Sequence, residues 1–233
     1  AWEQKQLLLD AYEPEGGPAA GRPAILLVHG GSFKEGSKEK AQIVEFAEYF
    51  ASHGYVAFAM NYRLDADYPP APDHWSTLSL SAAVHAAIVD IKAAVRYIRA
   101  NAEVYGVDAG RVALLGESAG AIAGVAAAVT DPDTFASDGP DLPIPEFNHP
   151  GVSPRVQAYI HLWGNADHVL LELDRGDPPT MIVHGDKDDE FFTPFASAKR
   201  FHTVLDLLGV PNEFYVADGF GHGAWDYRKD RKG

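Results

Sequence analysis

One serine stands where its hydroxyl could act as a nucleophile. Ser118 is the centre of Gly-Glu-Ser-Ala-Gly at residues 116–120, between the apolar run Val112–Leu115 and the small-residue stretch Ala121–Val129. A G-x-S-x-G pattern between a strand and a helix is typical of a nucleophile elbow, where the serine occupies a strained turn and the glycines let neighbouring backbone approach. The helix also directs its N-terminal amides toward charge on a reacting oxygen. The pattern predicts nucleophilic catalysis by Ser118.

A second segment predicts the hydrogen-bond donors that such a reaction needs. Residues 29–33 read His-Gly-Gly-Ser-Phe and directly follow an apolar run. A tetrahedral oxyanion is stabilised by two or three fixed donors about 3 Å away. We expect the backbone amides of Gly31, Ser32 and Ala119 to supply them.

A serine hydroxyl is a weak nucleophile at neutral pH, so a base and an orienting carboxylate are also required. His222 lies in the glycine-rich turn 219–223 after the last candidate strand, where the base is expected. The turn 185–190 offers four carboxylates, of which we choose Asp188, with Asp189 and Asp186 as alternatives. The turn lacks the glycine and distal glutamate spacing of a calcium-binding EF-hand, and no metal site is predicted.

Two other histidines precede these segments and are interpreted as structural. His29 begins the proposed oxyanion loop, and we expect it to be a neutral, hydrogen-bonded anchor rather than the base. His184 ends the apolar strand before the acidic turn. It is expected to mark the register of the loop that carries the acid.

Short apolar runs alternate along the chain with alanine-rich stretches of helical period, which predicts an α/β fold: a mainly parallel central sheet with helices on both faces. The predicted strands are Gln6–Ala11, Ala24–Val28, Tyr55–Met60, Arg111–Leu115, Val156–Leu162, Thr180–His184 and Glu213–Ala217. The predicted helices are Lys38–His53, Ser79–Tyr105, Ala119–Thr130 and Pro194–Leu208, the second of which is long enough to be two.

Two proline-rich stretches, 64–75 and 131–154, interrupt this alternation. Neither has the character of a linker between domains. Long irregular connections inside a compact domain are usually functional loops. We therefore predict one catalytic domain over residues 1–233, in which these two inserts wall the site as a small cap or lid.

Composition excludes several function classes. The chain has 233 residues, with 19 basic and 33 acidic side chains and a formal net charge of −14, which disfavours nucleic acid and anionic lipid surfaces as partners. No apolar run approaches the roughly 18 residues of a membrane span. The absence of cysteine excludes thiolate catalysis and disulfides but fits both a cytoplasmic and a secreted location, so the compartment and the oligomeric state stay open.

Taken together, these motifs resemble the α/β-hydrolase-fold serine esterases, close to the hormone-sensitive-lipase-like and bacterial feruloyl-esterase-like carboxylesterases. Similar features are Asn-Tyr-Arg-Leu at 61–64, Ala-Val-Arg-Tyr-Ile at 94–98, and Asp108 with Arg111 before the elbow. The similarity covers roughly residues 24–225. The sequence departs from the family at Ser32, where many relatives carry a third glycine, and at the proline-rich insert 64–75.

The resemblance implies a three-layer α/β-hydrolase fold and hydrolysis of short-chain or carbohydrate-linked esters of the acetyl or feruloyl type. It implies an acyl-enzyme on Ser118 and no metal or organic cofactor. Phe33 and Trp163 are expected to line an acyl pocket, although either could equally be core. Two other functions stay open: hydrolysis of small amides with the same triad, and an inactive binding protein that keeps the hydrolase shell.

Overall fold

The computed structural model of this protein describes residues 5–16, 20–67, 79–139 and 142–225. Its central sheet has seven strands in the spatial order β1-β3-β2-β4-β5-β6-β7, in which β1 is antiparallel to β3 and all other neighbours are parallel. The strands are β1 (Leu9–Tyr12), β2 (Arg22–Val28), β3 (Val56–Met60), β4 (Val107–Glu117), β5 (Ala158–Leu162), β6 (Thr180–Gly185) and β7 (Asn212–Ala217).

The helices cover both faces of the sheet, as the sequence predicts. They are α1 (Ala41–Ser52), α2 (Ser79–Ala100), α3 (Ala102–Tyr105), α4 (Ala119–Val129) and α5 (Phe195–Leu208). Because side chains alternate along a strand, Leu26 and Val28 of β2 pack with α2 and α4, whereas Ile25 and Leu27 pack with α1 on the opposite face. Within the described residues, no helix has both the length and the apolar character to cross a membrane.

The predicted elements are confirmed, with shifts at several ends. The run predicted as one long helix or two is divided at Asn101 into α2 and the single turn α3. The first strand begins at Leu9 rather than Gln6, and β4 extends to Glu117, directly against the nucleophile elbow. Gly106 and Gly209 end their helices in the left-handed conformation, where glycine has no steric cost.

Of the two predicted inserts, the first lies mostly outside the described residues. Its described part contains a 3₁₀ turn, Asp65–Asp67. Residues 131–139 and 142–154 of the second insert are turns and irregular backbone around another 3₁₀ turn, Glu146–Asn148. An ion pair between Asp138 of this second insert and Arg63, the residue just before the first insert, has a distance of 2.8 Å.

The sheet topology brings four loops to one edge. Because β2, β4, β6 and β7 are parallel, the segments after their carboxyl ends emerge on the same side. These segments carry the predicted oxyanion loop, Ser118, Asp188 and His222, in that order. Residues more than 100 positions apart in the chain are thereby placed in one crevice.

Close packing between β2 and the start of α4 makes one glycine essential to the fold. A Cβ on Gly120 would lie 2.3 Å from the Val28 carbonyl oxygen and 2.6 Å from that of His29. We expect Gly120→Ala to lower the free energy of unfolding by about 3 kcal/mol, despite the helix propensity of alanine. This corresponds to a decrease in Tm of about 10 °C, measured by calorimetry.

A matched control is Gly110→Ala, where the added Cβ would meet only the Asp108 carboxylate, at 3.3 Å. Its free energy of unfolding should stay within about 0.5 kcal/mol of the wild-type value. Equal Tm values for the two variants would contradict the packing argument.

Candidate active site

Ser118 occupies a strained turn between β4 and α4. Its backbone has φ 52° and ψ −119°. Residues other than glycine adopt this combination only when the surrounding structure imposes it. Close packing of the flanking glycines and one backbone hydrogen bond hold the turn in this conformation. A Cβ on Gly116 would lie 2.3 Å from the Gly120 carbonyl oxygen, and the Ser118 amide donates to the Leu162 carbonyl at 2.9 Å. The side chain remains partly exposed to solvent.

The structure brings Ser118, His222 and Asp188 into one hydrogen-bonded chain. Ser118 Oγ lies 2.9 Å from His222 Nε2. With its proton on Nδ1, His222 donates to Asp188 Oδ2 at 2.8 Å and leaves Nε2 free to accept from the serine. This is the geometry in which an imidazole can take the proton of an attacking hydroxyl.

The alternative acids of the turn 185–190 lie elsewhere. Asp189 is exposed. Asp186 accepts a hydrogen bond from the Gly219 amide at 2.6 Å and one from Lys187 at 2.7 Å. Asp186 thus ties the acidic turn to the loop of His222 without contacting the imidazole.

Asp188 is held by two histidines rather than one. His184 Nε2 donates to Asp188 Oδ2 at 2.9 Å and lies 3.0 Å from the Thr193 carbonyl oxygen. Burial alone would raise the pKa of Asp188, but hydrogen bonds from His184 and His222, with the charge of His222, lower it to about 2. His184 therefore fits the structural role expected of it and contacts the acid itself.

This lowered pKa predicts how stability depends on pH. Because the pKa of Asp188 is lower in the folded chain than the usual 3.8, its ionised form stabilises the fold above that value, and the contribution is lost as pH falls from 3.8 toward 2. Over this range, the free energy of unfolding of the native protein should decrease more steeply than that of Asp188→Asn. Urea titrations of both proteins at several pH values measure this, and parallel curves would contradict it.

Sequence reasoning missed two groups around this chain. Thr193 Oγ1 lies 3.0 Å from His222 Nδ1, so the hydroxyl is a second polar neighbour of the imidazole. Glu117 accepts a hydrogen bond from the Gly30 amide at 2.5 Å. Glu117 was available as the second residue of the elbow motif, whereas no sequence signal singles out Thr193.

The predicted oxyanion loop lies against the elbow. A Cβ on Gly30 would be 2.8 Å from Ser118 Cβ, and one on Gly31 would be 2.0 Å from the Glu35 carbonyl oxygen. Gly31, Ser32 and Phe33 have φ of 118°, 55° and 60°, so the loop has a sharply turned backbone. In the described part of the chain, the amides of Gly31, Ser32 and Ala119 donate no hydrogen bond.

His29 is placed as an anchor of this loop. Its ring stacks on Tyr62 with a centroid distance of 4.4 Å, and its Nδ1 lies 2.7 Å from the Gly30 carbonyl oxygen. The Tyr62 hydroxyl donates to the His29 carbonyl at 3.0 Å. Burial lowers the pKa of His29, so the ring stays neutral, in agreement with the sequence-based interpretation.

Phe33 and Trp163 are almost fully buried, at 3% and 2% exposure. Phe33 packs edge-on against Tyr62, at 6.2 Å between ring centroids. Trp163 packs edge-on against Trp225 at 4.7 Å and points its indole N–H toward Glu117. Both rings are therefore packed in the protein interior, and their predicted contact with an acyl group stays a prediction.

No group of three or more histidine, aspartate or glutamate side chains that could hold a metal ion occurs in residues 5–16, 20–67, 79–139 and 142–225. The site consists of a serine, a histidine and an aspartate in one hydrogen-bonded chain, beside backbone amides that donate no hydrogen bond within the described residues. This arrangement, on this fold, is typical of serine esterases of the α/β-hydrolase class.

Comparison with known proteins agrees with that class. The model of the BD-FAE family matches residues 9–175, and the chain belongs to this family. The resemblance to feruloyl-esterase-like carboxylesterases is confirmed at this level. The matched segment contains the predicted oxyanion loop and Ser118 but ends before Asp188 and His222.

Two of the relatives are named as esterases. The chain is 29% identical to esterase LipC of Mycobacterium tuberculosis over 257 aligned positions, covering 93% of this chain and 56% of LipC, so it spans little more than half of that relative. Among solved structures, it resembles esterase 2 of Thermogutta terrifontis with propionate bound, with a TM-score of 0.74, 26% identity and coverage of 94% of this chain and 80% of that one. The same esterase phosphorylated by paraoxon matches with a TM-score of 0.75, 25% identity and the same coverage.

Proposed function

We propose that this chain hydrolyses carboxylic esters of short acyl chains through a covalent acyl-enzyme on Ser118. The observation that carries the proposal is the hydrogen-bonded chain from Ser118 Oγ through His222 to Asp188, with distances of 2.9 and 2.8 Å. Those side chains come from three loops that only the fold brings together. It is improbable that these three side chains would form a hydrogen-bonded chain at a strained turn by chance.

In the first half of the reaction, Ser118 Oγ attacks the ester carbonyl carbon while its proton passes to His222 Nε2. Negative charge develops on the carbonyl oxygen, which in this proposal accepts hydrogen bonds from the amides of Gly31, Ser32 and Ala119. His222 then gives the proton to the departing alkoxide, and the acyl group stays on Ser118. Asp188 holds the imidazole in one tautomer and stabilises its protonated form.

In the second half, water replaces the alcohol. His222 Nε2 takes a proton from the water, whose oxygen attacks the acyl carbon, and the same amides receive the second oxyanion. Collapse releases the carboxylic acid and returns the proton from His222 to Ser118 Oγ. This sequence of steps needs no metal or organic cofactor.

A short acyl chain is proposed on the basis of a structural relative. The Thermogutta terrifontis esterase has been solved with propionate and with butyrate bound, which supports acyl groups of that size here. Acetyl groups on a saccharide are a second substrate class within the same proposal.

The decisive experiment combines covalent labelling with a substrate panel. Paraoxon should inactivate the protein and add one diethyl phosphoryl group, which peptide mass spectrometry should locate on Ser118, since organophosphates react with activated serine nucleophiles. The panel comprises p-nitrophenyl acetate, butyrate and decanoate, acetylated xylan, a feruloyl ester and a formanilide.

Highest kcat/KM for acetate or butyrate supports the proposal. Preference for the formanilide would make the chain an amide hydrolase, and absence of both labelling and turnover would make it an inactive binding protein. Preference for decanoate or the feruloyl ester would overturn the short-acyl assignment while keeping the mechanism.

A further inference from the structure

A buried carboxylate that the proposed mechanism does not use lies beside the nucleophile. Glu117 precedes Ser118 in the elbow and is 2% exposed. An added Cβ on Gly30 would lie 2.7 Å from Glu117 Oε2 and 2.8 Å from Ser118 Cβ, so the carboxylate and the Ser118 side chain both border Gly30. A negative charge at this place opposes the formation of an oxyanion.

The same carboxylate connects three parts of the site. Its Oε1 accepts the Gly30 amide of the oxyanion loop at 2.5 Å. Its Oε2 accepts the Trp163 indole N–H at 3.3 Å. A neutral acceptor would hold the loop more weakly, because hydrogen bonds to an ionised carboxylate are stronger. Glu117 thus helps to place the oxyanion loop but adds an unfavourable charge.

A cation compensates that charge. Lys40, just before α1, places Nζ 2.5 Å from Glu117 Oε1, and its side chain is 31% exposed. The same ammonium lies 5.1 Å from the ring centroid of Trp225, close enough for a cation–π contact. Trp225 lies three residues after His222. Lys40 therefore contacts Glu117, next to Ser118, and Trp225, on the loop that carries His222.

We propose that Lys40 is a positioning residue that neutralises Glu117, so that this carboxylate can hold the oxyanion loop without opposing the oxyanion. The inference rests on the proposed role of Ser118. Lys40 acts through Glu117 and does not touch substrate. Its contribution belongs to the transition state, in which the carbonyl oxygen is charged, rather than to the uncharged bound ester.

Other ionisable groups face the pair from several elements. His29, after β2, is neutral because burial lowers its pKa. Burial and the charge of Glu117 raise the pKa of Tyr62, after β3, so it stays a neutral phenol. Glu39, before α1, is exposed and paired with Lys38. Across the crevice lies the pair of His222 and Asp188 described above.

The test uses three variants of the full chain: Lys40→Met, Lys40→Arg and Lys40→Met/Glu117→Gln. For p-nitrophenyl acetate, Lys40→Met should lower kcat by about tenfold with little change in KM, because the unpaired carboxylate destabilises the charged transition state. The acid limb of its pH–rate profile should move to higher pH, since loss of the lysine's positive charge leaves Glu117 unpaired, which favours the protonated imidazole of His222.

The other two variants separate charge from packing. Lys40→Arg keeps the cation, and its kcat should stay within about threefold of the wild type. The double variant removes both charges. Its glutamine can still accept from the Gly30 amide, although its NH₂ group then faces the Trp163 indole. The variant should therefore recover part of the kcat lost in Lys40→Met and return the acid limb to its wild-type position. If packing alone mattered, the double variant would be no better than the single one and the acid limb would not move.

Lys38→Met is the matched control, because Lys38 pairs with Asp10 and Glu39 rather than with Glu117. It should leave kcat and the acid limb unchanged. Wild-type kcat and acid limb in Lys40→Met, or a double variant no faster than the single one, would overturn the proposal. Paraoxon labelling of the wild type at Ser118 alongside such a result would show that this inference failed while the proposed function held.

Discussion

Replacing Ser118 with alanine should lower kcat for p-nitrophenyl acetate by about 10⁴-fold or more, since the acyl-enzyme can no longer form. Ser118 Oγ is the group that lies 2.9 Å from His222 Nε2, and alanine keeps the backbone of the elbow while removing that oxygen. Stopped-flow measurement should show a burst of p-nitrophenol in the wild type and none in Ser118→Ala.

The control for this experiment is Ser52→Ala. Ser52 is exposed at the end of α1, where its hydroxyl donates to the Tyr49 carbonyl. Its kcat and paraoxon labelling should match those of the wild type. Turnover by Ser118→Ala within tenfold of the wild type would show that the reaction uses another nucleophile, and the proposed mechanism would be abandoned.

Replacing Asp188 with asparagine should have the next largest effect, a loss of about 10⁴-fold in kcat, the magnitude known for the corresponding change in a serine protease. Asp188 Oδ2 faces two N–H groups, from His184 and from His222. An asparagine that keeps its oxygen toward one of them presents an NH₂ group to the other. His222 is then no longer held with its proton on Nδ1, so Nε2 cannot reliably accept the proton of Ser118.

Asp189→Asn is the matched control for this variant, because Asp189 is the neighbouring carboxylate in the same turn but is exposed. Its kcat should stay close to the wild-type value. Circular dichroism should show that both variants are folded at pH 7. A larger loss of activity in Asp189→Asn than in Asp188→Asn would show that Asp189, and not Asp188, orients His222.

The sequence was most informative where local patterns carry a physical requirement. The elbow could be found from Ser118 because its strained turn requires glycine at 116 and 120, where a Cβ would meet backbone at 2.3 Å. The α/β class followed from short apolar runs alternating with helical periods, since strands buried on both faces must be apolar. Element ends were less certain, as at β1 and β4, because hydrogen bonding to neighbouring strands sets them.

The sequence was less informative about pairs formed across the sheet edge. It offered four carboxylates in one turn, and their order along the chain could only favour Asp188. The contact of Thr193 with His222, and the position of Lys40 on Glu117, join residues 29 and 77 positions apart. Contacts between residues so far apart in the chain leave no periodic pattern in the sequence.

What the sequence alone determined is therefore the class of fold, the position of the strained turn at Ser118 and the family resemblance, because strand patterning and the steric demands of such a turn are local. Tertiary structure decided which carboxylate meets His222, that His184 contacts the same carboxylate, and that Lys40 pairs with the buried Glu117 beside Ser118. Those features depend on hydrogen bonds and charge pairs a few ångströms long between loops distant in the chain. Only the pairing of parallel strands in one sheet brings such loops together at one edge.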